Sequence, residues 1–310
     1  MIKLENVTKR YASNDALNNL SLTIKSGELF VLVGPSGSGK TTLLKMINRL
    51  NEPTIGNVTI DSADVKSFDI RHLRQNIGYV LQAGALFPNM TVAQNAAIQL
   101  ETLGWDRQKR DQRVAELLDR VGLRATLFMN RMPSELSGGE AQRVGIVRAL
   151  AAEPNIVLMD EPFSALDPIS KRQLQDLVIQ LHRELATTFV FVTHDMSEAI
   201  KLADRLAVIH NGTLQQVGVP NEILAKPANA FVATFFDEND TQNIFLNQVV
   251  KAGFGQPSTE VGQVLKGTDT IFDWAAQLKT TPDLVIKVEQ TTLRPVDLIN
   301  YLASLEQEAK

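Results

Sequence analysis

The run LFVLV at 29–33, followed at once by GPSGSGKT at 34–41, constrains this chain more than any other feature of it. Five consecutive apolar residues read as a strand buried on both faces, the kind found inside a sheet covered by helices. The next stretch, TLLKMINRL, places Leu43, Leu44, Ile47 and Leu50 at helical spacing, so a helix is expected there. Strand, glycine-rich turn and helix in immediate succession is the context in which such a turn cradles an anion. Gly34, Gly37 and Gly39 let the backbone curl so that successive amides point inward. The helix start adds its partial positive charge.

Within this frame Lys40 is expected to reach the β- and γ-phosphates of a nucleotide, and the Thr41 hydroxyl to ligate Mg²⁺. A second continuous apolar run, IVLMD at 156–160, follows the breaker Glu153-Pro154 and reads as another buried strand. Asp160 at its end is placed to hold the Mg²⁺ shell through a water, because Mg²⁺ sheds water reluctantly. Glu161 lies one residue further, past the sheet, where open α/β folds bind ligands. A carboxylate there can orient and deprotonate an attacking water.

LSGGEAQRVGIVRALAAEP at 136–154 is the most diagnostic segment. Ser137, Gly138 and Gly139 precede an apolar helix carrying Val144, Ile146, Val147 and Leu150, which again sets amides and a hydroxyl at a helix start. A chain with one phosphate loop has no internal need of a second anion site. The economical reading is that this one serves the γ-phosphate held by a second subunit.

Together these motifs resemble the ATP-binding subunit of ABC transporters, over residues 1 to about 236. The resemblance implies an α/β fold, a P-loop ABC ATPase cassette with a mixed sheet core and a helical subdomain at about 84–150. It implies that Gln82 senses Mg²⁺ and the attacking water, that SALD at 164–167 crosses a dimer interface, and that His194 contacts the γ-phosphate. Tyr11 matches the aromatic that stacks on adenine. The expected ATP contacts are therefore Tyr11, Gly34, Pro35, Ser36, Gly37, Ser38, Gly39, Lys40, Thr41, Thr42 and Gln82. Ser137, Gly138, Gly139 and Glu140 would meet the ATP of the opposite subunit. Thr41, Gln82 and Asp160 would surround Mg²⁺, and Glu161 and His194 would be catalytic. Glu140 departs from the family, which more often has glutamine there, and brings an added negative charge.

Composition narrows the setting. A formal net charge of −4 argues against bulk electrostatic binding to nucleic acid. Without cysteine, disulfides, thiolate metal sites and thiol catalysis are excluded. The start, MIKLENVTK, lacks the apolar core of a signal peptide, and no run approaches the roughly 18 apolar residues of a spanning helix. The expected place is the cytoplasmic face of the membrane, as a peripheral subunit. The expected partners are a second ATPase subunit in a homodimer, membrane-spanning permease subunits and a substrate-binding protein or domain, with no nucleic acid.

A single cassette in a separate chain is more similar to uptake systems than to exporters. LKMINRLNEPTIGNVTI, LRQNIGYVLQ, LFPNMTV and RVGIVRALAAEP resemble the importers of osmoprotectants such as glycine betaine, carnitine and choline. Uptake of amino acids or another small solute is the alternative. ABC ATPases of DNA repair or translation are more remote, because they carry long coiled-coil arms or two cassettes with a basic linker. Here the phosphate loop and LSGGE are only about 100 residues apart with no heptad array between them.

Residues 237–310 carry a net −5 against +1 for residues 1–236, and a boundary is expected after AFVATFF at 230–236. Beyond it, TIFDWAAQL reads as a helix, LVIKV as a strand, Thr291 to Arg294 as extended, and PVDLINYLASL as a helix opened by Pro295. This β-α-β-β-α order resembles one repeat of the cystathionine-β-synthase-like regulatory module. The resemblance implies sensing of ionic strength or a nucleotide, with a purely structural role in dimerisation as the alternative.

Overall fold

The computed structural model describes residues 1–12, 14–81, 85–237, 246–257, 263–267 and 269–308, with side chains described as far as 302. From the N-terminus, β1 (Ile2–Tyr11) and β2 (Asn14–Ile24) pair antiparallel. β3 (Leu29–Val33) is buried along its whole length, as its unbroken apolar run requires. It feeds through the glycine loop into α1 (Lys40–Ile47). β4 (Ile55–Ile60) and β5 (Ala63–Asp64) return to the first sheet, which runs β2-β1-β4-β5. α2 (Ile70–Gln75), N-capped by Asp69, leads to β6 (Ile77–Val80). α3 (Val92–Thr102), α4 (Arg107–Arg120), α5 (Ala125–Phe128) and α6 (Gly138–Leu150) then pack on one another within the region expected to be helical.

The chain re-enters the large sheet as β7 (Ile156–Asp160). α7 (Pro168–Leu185), β8 (Thr188–Thr193), α8 (Met196–Leu202), β9 (Arg205–His210) and β10 (Thr213–Gly218) complete it. The strand order is β10-β9-β3-β8-β7-β6. All neighbours are parallel except β10, which runs against β9. This is the expected mixed sheet, and its crossovers put the ends of β3, β7 and β8 side by side, where a ligand crevice forms in open α/β folds. The apolar residues of α1, among them Leu43, Leu44 and Ile47, join the core shared by both sheets.

Two expectations are corrected. The helix after the glycine loop ends at Ile47 with Asn48 as its C-cap, and Leu50 lies beyond it, 48% exposed. Arg49 takes φ +53° and the Asn51 amide returns to the Lys45 carbonyl at 2.9 Å, which closes the last turn and carries Leu50 off the apolar stripe. The chain also divides earlier than 236/237, into compact units Met1–Gly218 and Val219–Lys310. The last pairing to the large sheet is Gly218 with Leu206. Pro220 then opens α9 (Pro220–Ala225), a position where its missing N–H costs nothing, and α10 (Ala230–Asp237) follows.

The second unit continues with α11 (Leu246–Lys251), β11 (Gln256–Pro257), β12 (Gln263–Leu265), α12 (Ile271–Leu278), β13 (Ile286–Val288), β14 (Thr291–Leu293) and α13 (Pro295–Glu308). Its sheet runs β11-β14-β13-β12, with β12 and β13 parallel. β12 supplies the first strand of the β-α-β-β-α order. Trp274, fully buried, anchors a core with Ile271, Ile286, Val288, Leu293 and Leu298, and its indole N–H donates to the Leu284 carbonyl at 3.2 Å.

Candidate nucleotide site

The glycine loop closes at the C-terminal end of β3. Gly39 is the N-cap of α1 at φ +102°, and a Cβ there would sit 2.4 Å from the Ala16 carbonyl oxygen, so both conformation and space demand glycine. With no side chain capping the helix, its first-turn amides keep their donors for a ligand. A Cβ on Gly34 would meet the Ile209 carbonyl oxygen at 2.0 Å. Pro35 accepts from the Ser38 amide at 3.2 Å, while Ser36 and Gly37 form the exposed rim.

Lys40 is 4% exposed. Its ammonium donates to the Gly34 and Pro35 carbonyls at 2.7 and 2.8 Å and to Ser38 Oγ at 3.4 Å. Burial pushes it below the ordinary lysine range, opposed by the charges of Glu161 and Asp160. Thr41 and Thr42 follow in the first turn of α1.

The Thr41 hydroxyl donates to Asp160 Oδ1 at 2.7 Å, joining the start of α1 to the end of β7 across 119 residues of sequence. Asp160 Oδ2 accepts from the Tyr79 hydroxyl at 3.3 Å. Burial, and then the Asp160 charge, push that phenol well above its ordinary range. The Thr41–Asp160 pair is a set of hard oxygen donors, as Mg²⁺ prefers. Among the described residues no group of three or more His, Cys, Asp and Glu side chains could hold a metal. The Thr41–Asp160 pair fits an ion that takes few protein ligands and leaves the rest to phosphate and water.

Glu161 adopts φ +46°, a left-handed backbone uncommon for a non-glycine residue. Its amide donates to the Val192 carbonyl on β8 at 3.0 Å, which fixes the turn. Glu161 Oε2 lies 3.0 Å from His194 Nδ1. The two side chains are 24% and 52% exposed, so they meet at a surface open to a ligand.

Ser137 is the N-cap of α6, and Gly138 and Gly139, expected to precede the helix, are its first two residues. Glu140 Oε2 accepts from the Ser137 amide at 2.7 Å, and the Glu140 amide donates back to Ser137 Oγ. A Cβ on Gly138 would stand 3.8 Å from Leu166, and one on Gly139 3.5 Å from Ser170, so this segment lies beside SALD and the start of α7. Asp167 caps α7 by accepting from the Ile169 and Ser170 amides at 3.1 and 3.0 Å. Tyr11 is 47% exposed with the Lys9 ammonium 4.9 Å over its ring. Gln82 lies outside the described residues. Its neighbours on either side are held by α6: Gln142 donates to the Leu81 carbonyl at 3.3 Å and Arg148 to the Ala85 carbonyl at 2.9 Å. Sequence reasoning missed Tyr79, Gln142 and Arg148. A pointer to Gln142 was its place as a polar residue within the apolar stripe of α6.

The mixed, mostly parallel sheet, the phosphate-type loop and the adjacent carboxylates Asp160 and Glu161 define a nucleotide-binding cassette. A family model described as ABC transporter matches residues 17–164. The chain is 47% identical over 258 residues to the osmoprotectant import ATP-binding protein OsmV of Salmonella typhimurium, covering 82% of this chain and 67% of that one. It is 50% identical over 236 residues to the glycine betaine/carnitine/choline transport ATP-binding protein OpuCA of Bacillus subtilis, covering 76% and 62%. Among solved structures, a dimeric post-hydrolysis state of the ATP-binding cassette MJ0796 bound to ADP and Pi is 36% identical, with a TM-score of 0.65, over 71% of this chain and 99% of that one. This chain belongs to the ATP-binding subunits of the ABC transporter family. It spans 67% and 62% of the lengths of OsmV and OpuCA.

Proposed function

We propose that this chain is the ATP-hydrolysing subunit of an importer of quaternary-amine osmoprotectants, acting as a homodimer at the cytoplasmic face of the membrane. The observation that carries the hydrolytic reading is the meeting of Glu161 and His194 at 3.0 Å, one residue on from the Thr41–Asp160 pair. The loop amides and Lys40 bind and orient the triphosphate. Thr41, Asp160 and Gln82 would hold Mg²⁺, which supplies charge neutralisation at the phosphate oxygens. Glu161 orients the attacking water and takes its proton. His194 holds the Glu161 carboxylate and faces the γ-phosphate. Ser137, Gly138, Gly139 and Glu140 of a second copy complete the site, so hydrolysis removes the group that both copies grip and loosens the dimer.

Transport needs partners, because among the described residues no helix is long and apolar enough to cross a membrane. A groove of about 630 Å³, lined by Leu50, Ile77, Leu81, Phe87 and Ile98 with Arg71 beside them, is the surface assigned to the permease subunits. A substrate-binding protein or domain would deliver the cargo. The osmoprotectant reading draws support from the names of OsmV and OpuCA, and residues 237–310 are assigned to regulation by ionic strength. Uptake of labelled glycine betaine in cells with and without this chain tests the cargo. Loss of amino-acid uptake with betaine uptake intact overturns that reading and leaves the ATPase standing. Unchanged salt dependence after deletion of 237–310 removes the regulatory role.

A further inference from the structure

A partly buried ion cluster behind the hydrolytic pair takes no part in the mechanism above. Lys171 stands in the first turn of α7, directly after SALD, and its amide donates to the Asp167 carbonyl at 2.9 Å. Its ammonium reaches across to the turn that carries His194, 2.6 Å from Asp195 Oδ2 and 2.7 Å from Glu198 Oε1. Glu198 is 4% exposed, so its charge depends on this one cation. The two acids in turn hold the backbone on both sides of His194. Asp195 Oδ1 accepts from the Ser197 and Glu198 amides at 2.9 and 3.2 Å, capping α8. Glu198 Oε2 accepts from the Thr193 hydroxyl, whose oxygen accepts from the Asp195 amide at 3.0 Å. The side-chain bonds that hold the backbone on both sides of His194 thus lead to the Lys171 ammonium, beside the sheet pairing of Thr193 with Val33.

The cluster also borders a cavity of about 120 Å³ whose lining includes Glu161, Ser164, Leu166, Lys171, His194 and Glu198. The SALD segment forms one wall and the His194 turn another. Lys171 is the charged link between them, and it contacts neither the phosphate loop nor Asp160.

We propose that Lys171 is a positioning residue that ties residues 164–167 to His194, so that a displacement of SALD moves the histidine against Glu161. The proposal rests on the reading of Glu161 and His194 as the hydrolytic pair. It assigns the interface segment a mechanical line to the chemistry in its own subunit. An ion pair is suited to this, because a charge-assisted hydrogen bond is shorter and roughly twice as strong as a neutral one.

The test uses the full chain and steady-state ATP hydrolysis with four proteins: the wild type, Lys171→Met, His194→Ala and the double variant. Lys171→Met is expected to lower kcat at least tenfold while KM for ATP stays within twofold. The double variant is expected to be no slower than His194→Ala alone, because Lys171 acts through the histidine. Lys171→Arg, which keeps the charge, is expected to recover at least half of the lost rate. A kcat for Lys171→Met within twofold of wild type overturns the proposal, as does a loss that multiplies in full with that of His194→Ala. Should Lys171→Met fail to fold, the same cycle run with Asp195→Asn decides between the same outcomes. Glu161→Gln is measured alongside: normal turnover there sinks the hydrolytic reading itself, a failure distinct from that of Lys171.

Discussion

Ser137 and Glu140 grip each other reciprocally, the Glu140 carboxylate accepting from the Ser137 amide at 2.7 Å and Ser137 Oγ accepting from the Glu140 amide at 3.3 Å. Two otherwise orphan donors at the start of α6 are satisfied by this capping box. The carboxylate is therefore turned back on its own helix. Glutamine has a carbonyl oxygen at the same reach and can do the same work, so Glu140→Gln is expected to leave thermal stability unchanged and ATPase within about threefold. Glu140→Ala removes the reciprocal bond and is expected to cost roughly 1 kcal/mol. Thermal unfolding of both variants checks this; equal losses would show that the box contributes nothing.

Glu161→Gln is expected to bind ATP normally and to hydrolyse it at least ~100-fold more slowly, the scale of losing one positioned catalytic group. The amide keeps the shape of the turn at φ +46° and an acceptor toward His194, so the loss isolates proton acceptance. Nucleotide binding by fluorescence and phosphate release at saturating ATP separate the two effects. Near-normal turnover would take Glu161 out of the base role.

How much of this was legible in the sequence depended on how local each signal was. LFVLV, IVLMD and the glycine loop announce themselves because burial on both faces and tight turning leave marks within a few residues. Thr41 and Asp160 followed from the motifs that carry them. Tyr79 did not, because its role exists only once β6 lies parallel to β7, pairing Tyr79 with Leu158 near Asp160. Lys171 was hidden for a similar reason: its partners lie 24 and 27 residues on, across a strand and a turn. Leu50 was misread because periodicity continued past a helix that the backbone had already closed at Asn48. The unit boundary was drawn from charge at 237, whereas the chain leaves the sheet at Gly218.

Tyr79 bears on the metal end of the site. Its hydroxyl holds Asp160 Oδ2 at 3.3 Å while Thr41 holds Oδ1, so the carboxylate is fixed from both sides. Tyr79→Phe removes one hydrogen bond to a charged carboxylate, and its 3.3 Å length places it at the low end of that class, about 1.5 kcal/mol. The Mg²⁺ concentration for half-maximal ATPase is expected to rise by up to roughly tenfold by the same arithmetic. Thr41→Val, which also removes a direct ligand, is expected to raise it further. A Tyr79→Phe titration that overlays the wild type would leave the phenol as packing alone.

Asp167 links pH to the stability of α7. Hydrogen bonds from the Ser170 side chain and amide, set against a small cost of burial, hold its carboxyl below the ordinary aspartate range. A depressed folded pKa means that the stabilisation is fully present above the unfolded value near pH 4. It is lost as pH falls through the folded value. Asp167→Asn keeps an N-cap acceptor, so its melting temperature is expected to match the wild type at pH 7 and to fall less steeply as pH drops below about 4. Parallel slopes in that window would exclude a contribution from Asp167.

The split site makes the most demanding prediction. Gly138 and Gly139 lie against Leu166 and Ser170 of their own chain, so LSGGE and SALD form one continuous surface that a partner's nucleotide would meet together. Ser137→Arg puts a long cation where the hydroxyl capped α6, and blocks the approach of a second phosphate loop without touching the one in its own chain. Wild-type and Ser137→Arg chains are mixed with different affinity tags and the heterodimer is isolated. One of its two sites then pairs a mutant LSGGE with a wild-type loop, and the other is intact. A Lys40→Ala change placed in the mutant chain disables the loop facing the intact LSGGE, whereas the same change placed in the wild-type chain falls on the site already blocked. If sites are shared between copies, the first arrangement abolishes hydrolysis and the second leaves whatever the single intact site supports. Equal activity in the two arrangements would show that each chain works with its own LSGGE.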